Sequence, residues 1–328
     1  MRAAPDGLEV SAVVAALRDD WGFVAADIDY APVGGGSYHW CVVDPNGRRA
    51  FVTVDNLDQK TWLGDTRDAC FEGLRDAFDT AAELAASGLA FVVAPLRTHD
   101  GASLVRLDDR YSLALFPFVE GTPGVWGGYK TDADRLAVVE LVAAVHRVPV
   151  AARTVGLEVS GREQLEAALH DLDVPWVGGP LAEQTRAAMR AAAPALVDLL
   201  ALADRFRVEA EAQGAHSVVT HGEPHSGNVV RTISGPVLVD WDTVALAPPE
   251  RDLWMLTGDR MPELYEERSG LNVNDAALDY FRLSWDLKDL AEYLNALRAP
   301  HTENDDTRRW LGFVSRFPQT REEWADRL

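Results

Sequence analysis

A carboxylate, Glu223, and an amide, Asn228, sit in a loop-forming stretch, His221-Gly222-Glu223-Pro224-His225-Ser226-Gly227-Asn228, followed by a second carboxylate, Asp240, within Val239-Asp240-Trp241-Asp242. A carboxylate shortly before an amide, with a second carboxylate closing a short hairpin, suits phosphoryl transfer. That reaction needs one group to orient an attacking hydroxyl and hard oxygen ligands to hold magnesium against a triphosphate. Glu223 is the candidate for accepting or orienting the hydroxyl proton, and Asn228 and Asp240 are the candidate magnesium pair. A polar turn between strands explains Asn228 and Gly227 but not two carboxylates in register. Asp242 stays open between the metal neighbourhood and a plain turn. Zinc held by His221, Glu223 and His225 is disfavoured, because their spacing on a proline-interrupted loop does not match two histidines on one helix face.

A second candidate site is the run Gly34-Gly35-Gly36 with Ser37. Absent side chains let backbone N–H groups approach phosphates there, and Ser37 adds a hydroxyl donor. Further along, Asp286, Asp289 and Glu292 share a helix with Leu283, Leu287, Leu290 and Leu294. They are candidates for receiving a polyamine substrate, against the alternative of a solvated face; Trp285 and Tyr293 line the same region or pack.

The elements that must position these groups are legible from periodicity. Val10, Val13, Val14, Leu17 and Trp21 repeat at helical spacing. Three β-rich runs follow, IDYAPV, SYHWCVV and AFVTV, separated by the glycines and by the turn Asp44-Pro45-Asn46-Gly47. Cys70 to Leu84 predicts a helix, then LAFVVAPL and YSLALFPFV predict two more strands. Beyond PFVEGTPG the chain reads as mostly helical, with one β-like interruption, SVVTHGEPHSGNVVRTISGPVLVDW, that carries the loop.

Composition bounds the partners. The 328 residues carry Lys+Arg 31 against Asp+Glu 52, a net charge of −21, which repels nucleic-acid backbones and anionic lipid surfaces and draws cationic small molecules or metal ions. No nucleic-acid or membrane partner is expected. The uncharged run Leu84 to Leu96 is far short of the roughly 20 apolar residues of a membrane helix, and MRAAPDGLEV lacks an apolar signal core, so a cytoplasmic protein is expected. Cys41 and Cys70, the only two cysteines, are too few for a disulfide framework. Lys60, Lys130 and Lys288 are the only lysines. Oligomeric state is not legible.

With the catalytic loop, the later LVDWD, the run LALFPFVEG and the segments VVELVAAVHRVPV and APPERDLW in this order, nearly the whole chain resembles the aminoglycoside phosphotransferase family, small-molecule relatives of protein kinases. YFRLSWDLKDLAEYL resembles most its spectinomycin phosphotransferase branch. The resemblance implies an α+β, two-lobed protein-kinase-like fold, with a small β-rich N-lobe over 1–120 and a larger helical C-lobe over 121–328. It also implies ATP or GTP with Mg2+ as cofactors and a small-molecule acceptor such as an aminoglycoside or aminocyclitol. Glu223 occupies the family's catalytic aspartate position, and Gly34, Gly35 and Gly36 match its nucleotide loop. Phe116 and Phe118 flank a hinge whose backbone faces an adenine edge, their rings being either apolar walls or ordinary core. His221 and His225 resemble bracing residues, and Asp252 a buried support.

Two positions depart from the family pattern. Thr53 stands where a third-strand lysine is expected to contact nucleotide phosphates, leaving Lys60, Arg67, Arg75 or His39 as substitutes, one of them positioned by Glu72. Glu223 replaces aspartate, which moves the carboxylate by about one bond length. These departures keep open a nucleotide- or ligand-binding pseudokinase, or a kinase of choline, a sugar or an amino alcohol.

Overall fold

The structure, a computed structural model, describes residues 4–5, 7–214 and 216–328; Met1 to Ala3 and Asp6 of the opening segment lie outside the described residues. In chain order the elements are α1 (Val10–Trp21), β1 (Asp27–Ala31), β2 (Tyr38–Val43), β3 (Arg49–Asn56), α2 (Arg67–Ala86), β4 (Val105–Arg106), β5 (Tyr111–Pro117), β6 (Thr122–Pro123) and α3 (Asp132–Val145). There follow α4 (Arg162–His170), α5 (Ala182–Ala212), β7 (Val218–Thr220), β8 (Val229–Thr232), β9 (Gly235–Leu238), β10 (Ala245–Ala247), α6 (Glu250–Leu253), α7 (Met261–Ser269), α8 (Asp275–Arg298) and α9 (Asp305–Glu323). They pack as two compact units, one of Met1–Val155 with His216–Val273, the other of Gly156–Ala215 with Asn274–Leu328.

In the first unit an antiparallel sheet runs in the order β1-β2-β3-β5-β4. Its alternation follows from strand geometry, in which successive side chains take opposite faces. Tyr38, Trp40 and Val42 of β2, and Ala50, Val52 and Val54 of β3, are buried. His39 and Thr53, directly paired across the two strands, share the other face. Helix α2 lies against the sheet through Leu74 and Phe78, which meet Leu104, Ala114 and Phe116. Thr66 caps that helix by accepting the Ala69 N–H at 3.2 Å, satisfying a donor the first turn leaves open.

LAFVVAPL does not form the expected strand. Its backbone divides between two partners: Val93 N–H donates to the Leu238 carbonyl at 3.0 Å and Leu96 N–H to the Leu115 carbonyl at 2.7 Å. Pro95, which has no N–H, further interrupts any continuous ladder. The short β4 takes the edge beside β5 instead.

Two small ribbons hold the loops of interest. β7 pairs with β10, while β8 pairs with both β6 and β9. Residues 221–228 therefore join β7 to β8, and residues 239–244 join β9 to β10, so the two polar segments leave adjacent strand ends. The second unit is helical. The apolar stripe Leu283, Leu287, Leu290 and Leu294 of α8 is wholly buried, and α8 packs with α4, α5 and α9.

Candidate active site

The loop after β7 is built around one buried carboxylate. Asp252, on α6, has no solvent exposure. It accepts the His221 N–H at 2.8 Å on Oδ2 and the Gly222 N–H at 2.6 Å on Oδ1. His146 Nε2, at the end of α3, donates to the same Oδ2 at 3.0 Å. Burial alone would raise this carboxyl's pKa, but the His146 hydrogen bond and the neighbouring positive groups outweigh it and hold the value below the ordinary range. Gly222 has φ +96°, and a Cβ there would meet the Arg251 guanidinium at 2.5 Å. Glycine is thus required twice over, by conformation and by space.

His221 then links the two polar segments. Its Nε2 donates to the Val239 carbonyl at 3.0 Å and its Nδ1 accepts the Glu223 N–H at 3.2 Å. Burial lowers its pKa, in keeping with a neutral ring that braces rather than exchanges protons. His225 accepts the Gly227 N–H on Nδ1 at 3.1 Å and packs edge-on against Trp126. Burial lowers its pKa to about 4, so it too is uncharged at neutral pH.

Glu223, Asn228 and Asp240 come together on this frame. Asn228 Nδ2 donates to the Glu223 carbonyl at 3.0 Å, which leaves the amide oxygen as the end able to take a cation. The Asn228 carbonyl accepts the Val239 N–H at 3.0 Å, fixing Asp240 next along the chain. Asp240 adopts φ +68°, a left-handed conformation that costs a non-glycine residue about 1–3 kcal/mol and persists only where its surroundings impose it. The fully buried Trp241, whose Nε1 donates to the Leu238 carbonyl at 3.0 Å, supplies that constraint. Burial and the nearby Asp242 carboxylate raise the Asp240 pKa well above the ordinary value; Glu223 and Asp55 add to this and Lys60 opposes it. Asp240 still reaches solvent at one edge.

Such a crowd of acids calls for a cation, and the donors are the hard oxygens magnesium prefers. Among the described residues, no three His, Cys, Asp or Glu side chains converge to hold a metal unaided.

Lys60 is the group whose surroundings the sequence left most open. Its side chain is 1% exposed, with Nζ 2.8 Å from Asp55 Oδ1 and 2.6 Å from Asp242 Oδ2. It also donates to Ser37 Oγ at 3.0 Å. Burial by itself would lower its pKa, but Asp242 and Asp55 outweigh that and lift it above the usual lysine value. A Cβ placed on Gly36 would stand 3.8 Å from Nζ, and one on Gly34 3.4 Å from His39 Nε2. The glycine run thus folds over the His39 and Thr53 face of the sheet with the ammonium beneath it. Arg153, which carried no signal in the sequence, donates to the Trp62 carbonyl at 3.4 Å. Burial and the neighbouring Arg251 lower its pKa to about 10, against the pull of Asp242.

Ser37, Phe116 and Phe118 each have distinct surroundings. The Ser37 hydroxyl donates to Asp55 at 2.6 Å and is buried, so it belongs to the lysine's cage rather than serving as a phosphate donor. The Phe116 ring is core, edge-on to Phe78 with centroids 5.5 Å apart, because the alternation of β5 turns it toward α2. The Phe118 ring lies under the Arg49 guanidinium at 3.5 Å. Neither ring is available as a free adenine wall. Asp242 is resolved as an ion-pair partner rather than a plain turn residue.

Asp286 and Asp289 belong to the other compact unit, on α8. There Tyr293 stacks on Trp310, and Lys288 lies over Trp285 and 3.7 Å from Glu292. Burial, with Glu323 nearby, raises the Asp286 pKa to about 6. A carboxyl whose folded pKa exceeds its unfolded value costs stability progressively as pH rises through that window, and the full cost remains above pH 6. Asp286→Asn is therefore expected to raise the thermal midpoint by about 2–4 °C at pH 7.5 and to leave it unchanged at pH 3.5. Calorimetry showing no gain at pH 7.5 would contradict the assignment.

Comparison with known proteins agrees with this geometry. The phosphotransferase enzyme family, APH, matches residues 31–293. Protein StrN of Streptomyces griseus is 27% identical over 274 residues, covering 79% of this chain and 82% of that protein. The structure is similar to spectinomycin phosphotransferase APH(9)-Ia solved with ADP and spectinomycin, with a TM-score of 0.69, 16% identity, and coverage of 97% of this chain and 100% of that one. It is also similar to a microcompartment-associated aminopropanol kinase, with a TM-score of 0.59, 14% identity, and 97% and 98% coverage. These neighbours share the kinase-like α+β fold. With a family match spanning most of its length, the chain belongs to the APH phosphotransferase enzyme family and is a small-molecule kinase.

Proposed function

We propose that the protein transfers the γ-phosphoryl group of ATP or GTP, with magnesium, to a hydroxyl of a small cationic acceptor of aminoglycoside or aminocyclitol type. The observation that carries this reading is Asp240, turned outward in a left-handed conformation beside Asn228 and Glu223 in a cluster rich in acid. In this reading residues 1–120 provide the glycine run Gly34 to Gly36 and the backbone at Phe116 and Phe118 for the nucleotide. Residues 121–328 provide the catalytic loop and the acceptor groups.

Glu223 takes the hydroxyl proton as the acceptor oxygen bonds to the γ-phosphorus. The bond from that phosphorus to the bridging oxygen breaks, and nucleoside diphosphate leaves. Asn228 and the Asp240 carboxylate would hold magnesium, which would supply charge neutralisation at the phosphates. His221 and Asp252 hold the loop so that little reorganisation is left for the reaction.

The cationic character of the acceptor is supported by the net charge of −21 and by Asp286 and Asp289, proposed as its amine-recognition carboxylates. The neighbour solved with ADP and spectinomycin and the aminopropanol kinase support both the nucleotide and an amine-bearing acceptor. The test is a mass-spectrometric screen of aminoglycosides, spectinomycin and small amino alcohols with Mg-ATP and Mg-GTP. An added phosphoryl group is expected on at least one amine-bearing acceptor. Tight nucleotide binding with no product from any acceptor would sink the proposal.

A further inference from the structure

A kinase-like site brings a protein cation to the nucleotide phosphates and fixes it with a carboxylate, usually from strand to helix. Here β3 offers Thr53, whose Oγ1 lies 3.2 Å from His39 Nδ1. The alternatives are engaged elsewhere or uncharged. Arg67 is at the surface, its Nε donating to Asp58 at 2.7 Å. Arg75 pairs with Glu72 at the surface. Burial, with the Lys60 ammonium adding, lowers the His39 pKa to about 3, so that ring carries no charge at neutral pH.

Lys60 differs from all of these. Its ammonium lies beneath the glycine run, within 3.8 Å of where a Gly36 side chain would start, and touches Asp242 on the segment that carries Asp240. We infer that Lys60, delivered from the connector after β3 rather than from the strand, is the cation that contacts the nucleotide phosphates, and that Asp55 is its positioning residue. The inference rests on the phosphotransfer reading above.

The sequence distance makes the arrangement workable. Asp55 is the last but one residue of the β3 ladder, pairing with Ser112 of β5, and Asn56, the last, accepts the Asp58 N–H on Oδ1 at 3.1 Å to start the 3-10 turn Leu57–Gln59. That turn brings the lysine back over the strand it has just left. The pair is therefore set by the sheet and one turn, with Cys70 Sγ of α2 donating to the Lys60 carbonyl at 3.2 Å. The Lys60 ammonium donates to Asp242 and Ser37 and is ion-paired with Asp55 at 2.8 Å, so protein partners surround it. An arriving phosphate must replace one of them. Asp242 is the exchangeable partner because it stands in the acid cluster that magnesium joins, whereas Asp55 and Ser37 are bonded to each other.

Two experiments test this. First, the wild type is treated at pH 9 with an acyl-phosphate derivative of ATP, which acylates a lysine amine beside the phosphates, and peptides are read by mass spectrometry. With only Lys60, Lys130 and Lys288 in the chain, the result is unambiguous: acylation of Lys60, suppressed by excess ATP, is expected. Second, calorimetry with ADP is run on Lys60→Ala, Asp55→Asn, Glu72→Ala and the double variant Lys60→Ala/Thr53→Lys.

Lys60→Ala is expected to weaken ADP binding about 10- to 100-fold and Asp55→Asn to weaken it less, while Glu72→Ala leaves it unchanged. The double variant is expected to recover part of the loss, because it restores a cation to the same face. Should Lys60→Ala fail to fold, with two carboxylates left unpaired, the labelling of the wild type decides alone. ATP-protected acylation of Lys130 or Lys288, protection of no lysine in a protein that binds ATP, or a folded Lys60→Ala with wild-type ADP affinity would overturn the inference. Failure of the wild type to bind either nucleotide would instead remove the phosphotransfer reading, and this inference with it.

Discussion

Asp240→Ala is expected to lower acceptor-dependent phosphoryl transfer about 10³-fold or more, and Glu223→Ala about 10²- to 10⁴-fold. Neither should unfold the protein. The carboxylate of Asp240 is an electrostatic liability without a cation: burial and Asp242 raise its pKa, and its backbone is held left-handed. Its removal relieves both like-charge repulsion and some of the crowding around Lys60, so the thermal midpoint should rise or hold while activity is lost. A group present for folding would behave in the opposite way, since loss of a stabilising ion pair lowers the midpoint.

The two variants differ in what they leave behind. Asp240→Ala removes a proposed magnesium ligand, so the loss should be partly recovered by raising magnesium concentration through the remaining Asn228 oxygen. Glu223→Ala removes the proposed proton acceptor, which no metal concentration restores, and its residual rate should rise with pH as the acceptor hydroxyl ionises without help. Steady-state kinetics over magnesium concentration and pH separate them. Equal activity of either variant and the wild type would contradict the site assignment.

The loop 221–228 and the connection carrying Asp240 stand out in the sequence because their residue types are improbable outside chemistry: glycines, carboxylates and an amide at fixed separations between short apolar runs. The strands β2 and β3 were legible for a different reason, the period-two alternation of Tyr38, Trp40 and Val42 against His39, Cys41 and Val43. LAFVVAPL misled because its apolar run satisfies strand periodicity while its backbone partners lie in two different places, and hydrogen-bond destinations leave no mark on composition. Lys60 was one of four candidates because side-chain direction after a 3-10 turn is set by the turn, not by residue type. The Phe116 ring stays open between wall and core in the sequence for a related reason: β5 is buried on both faces over most of its length, so its alternation shows no polar residue to mark which side faces the nucleotide. Scarcity is the signal in the sequence that points to Lys60, since three lysines in an arginine-rich chain single out any lysine placed between β3 and α2.

Asp252 should matter more for stability than any residue of the reacting cluster. It is fully buried, and three donors converge on its two oxygens: the N–H groups of His221 and Gly222 and the His146 imidazole. Asp252→Ala leaves two backbone donors and an imidazole without an acceptor in a closed interior. Breaking a buried, hydrogen-bonded charge costs about 3–5 kcal/mol, or roughly 10 °C in thermal midpoint for a chain of this size. Because the folded pKa of Asp252 lies below its unfolded value, its contribution is fully present above the unfolded carboxylate pKa and fades as pH falls through the folded one. The gap between wild type and Asp252→Ala should thus be constant from pH 6 to 8 and narrow toward pH 3. Asp252→Asn should recover little, since its amide can accept from only one side and presents N–H to donors on the other. Activity should fall with it even under conditions where the variant is folded, because Glu223 is placed through the His221 that Asp252 holds. Differential scanning calorimetry across pH, with turnover measured at a temperature where both proteins are native, checks the two halves separately. A midpoint within about 2 °C of wild type at pH 7 would show that the loop is braced by something other than this carboxylate.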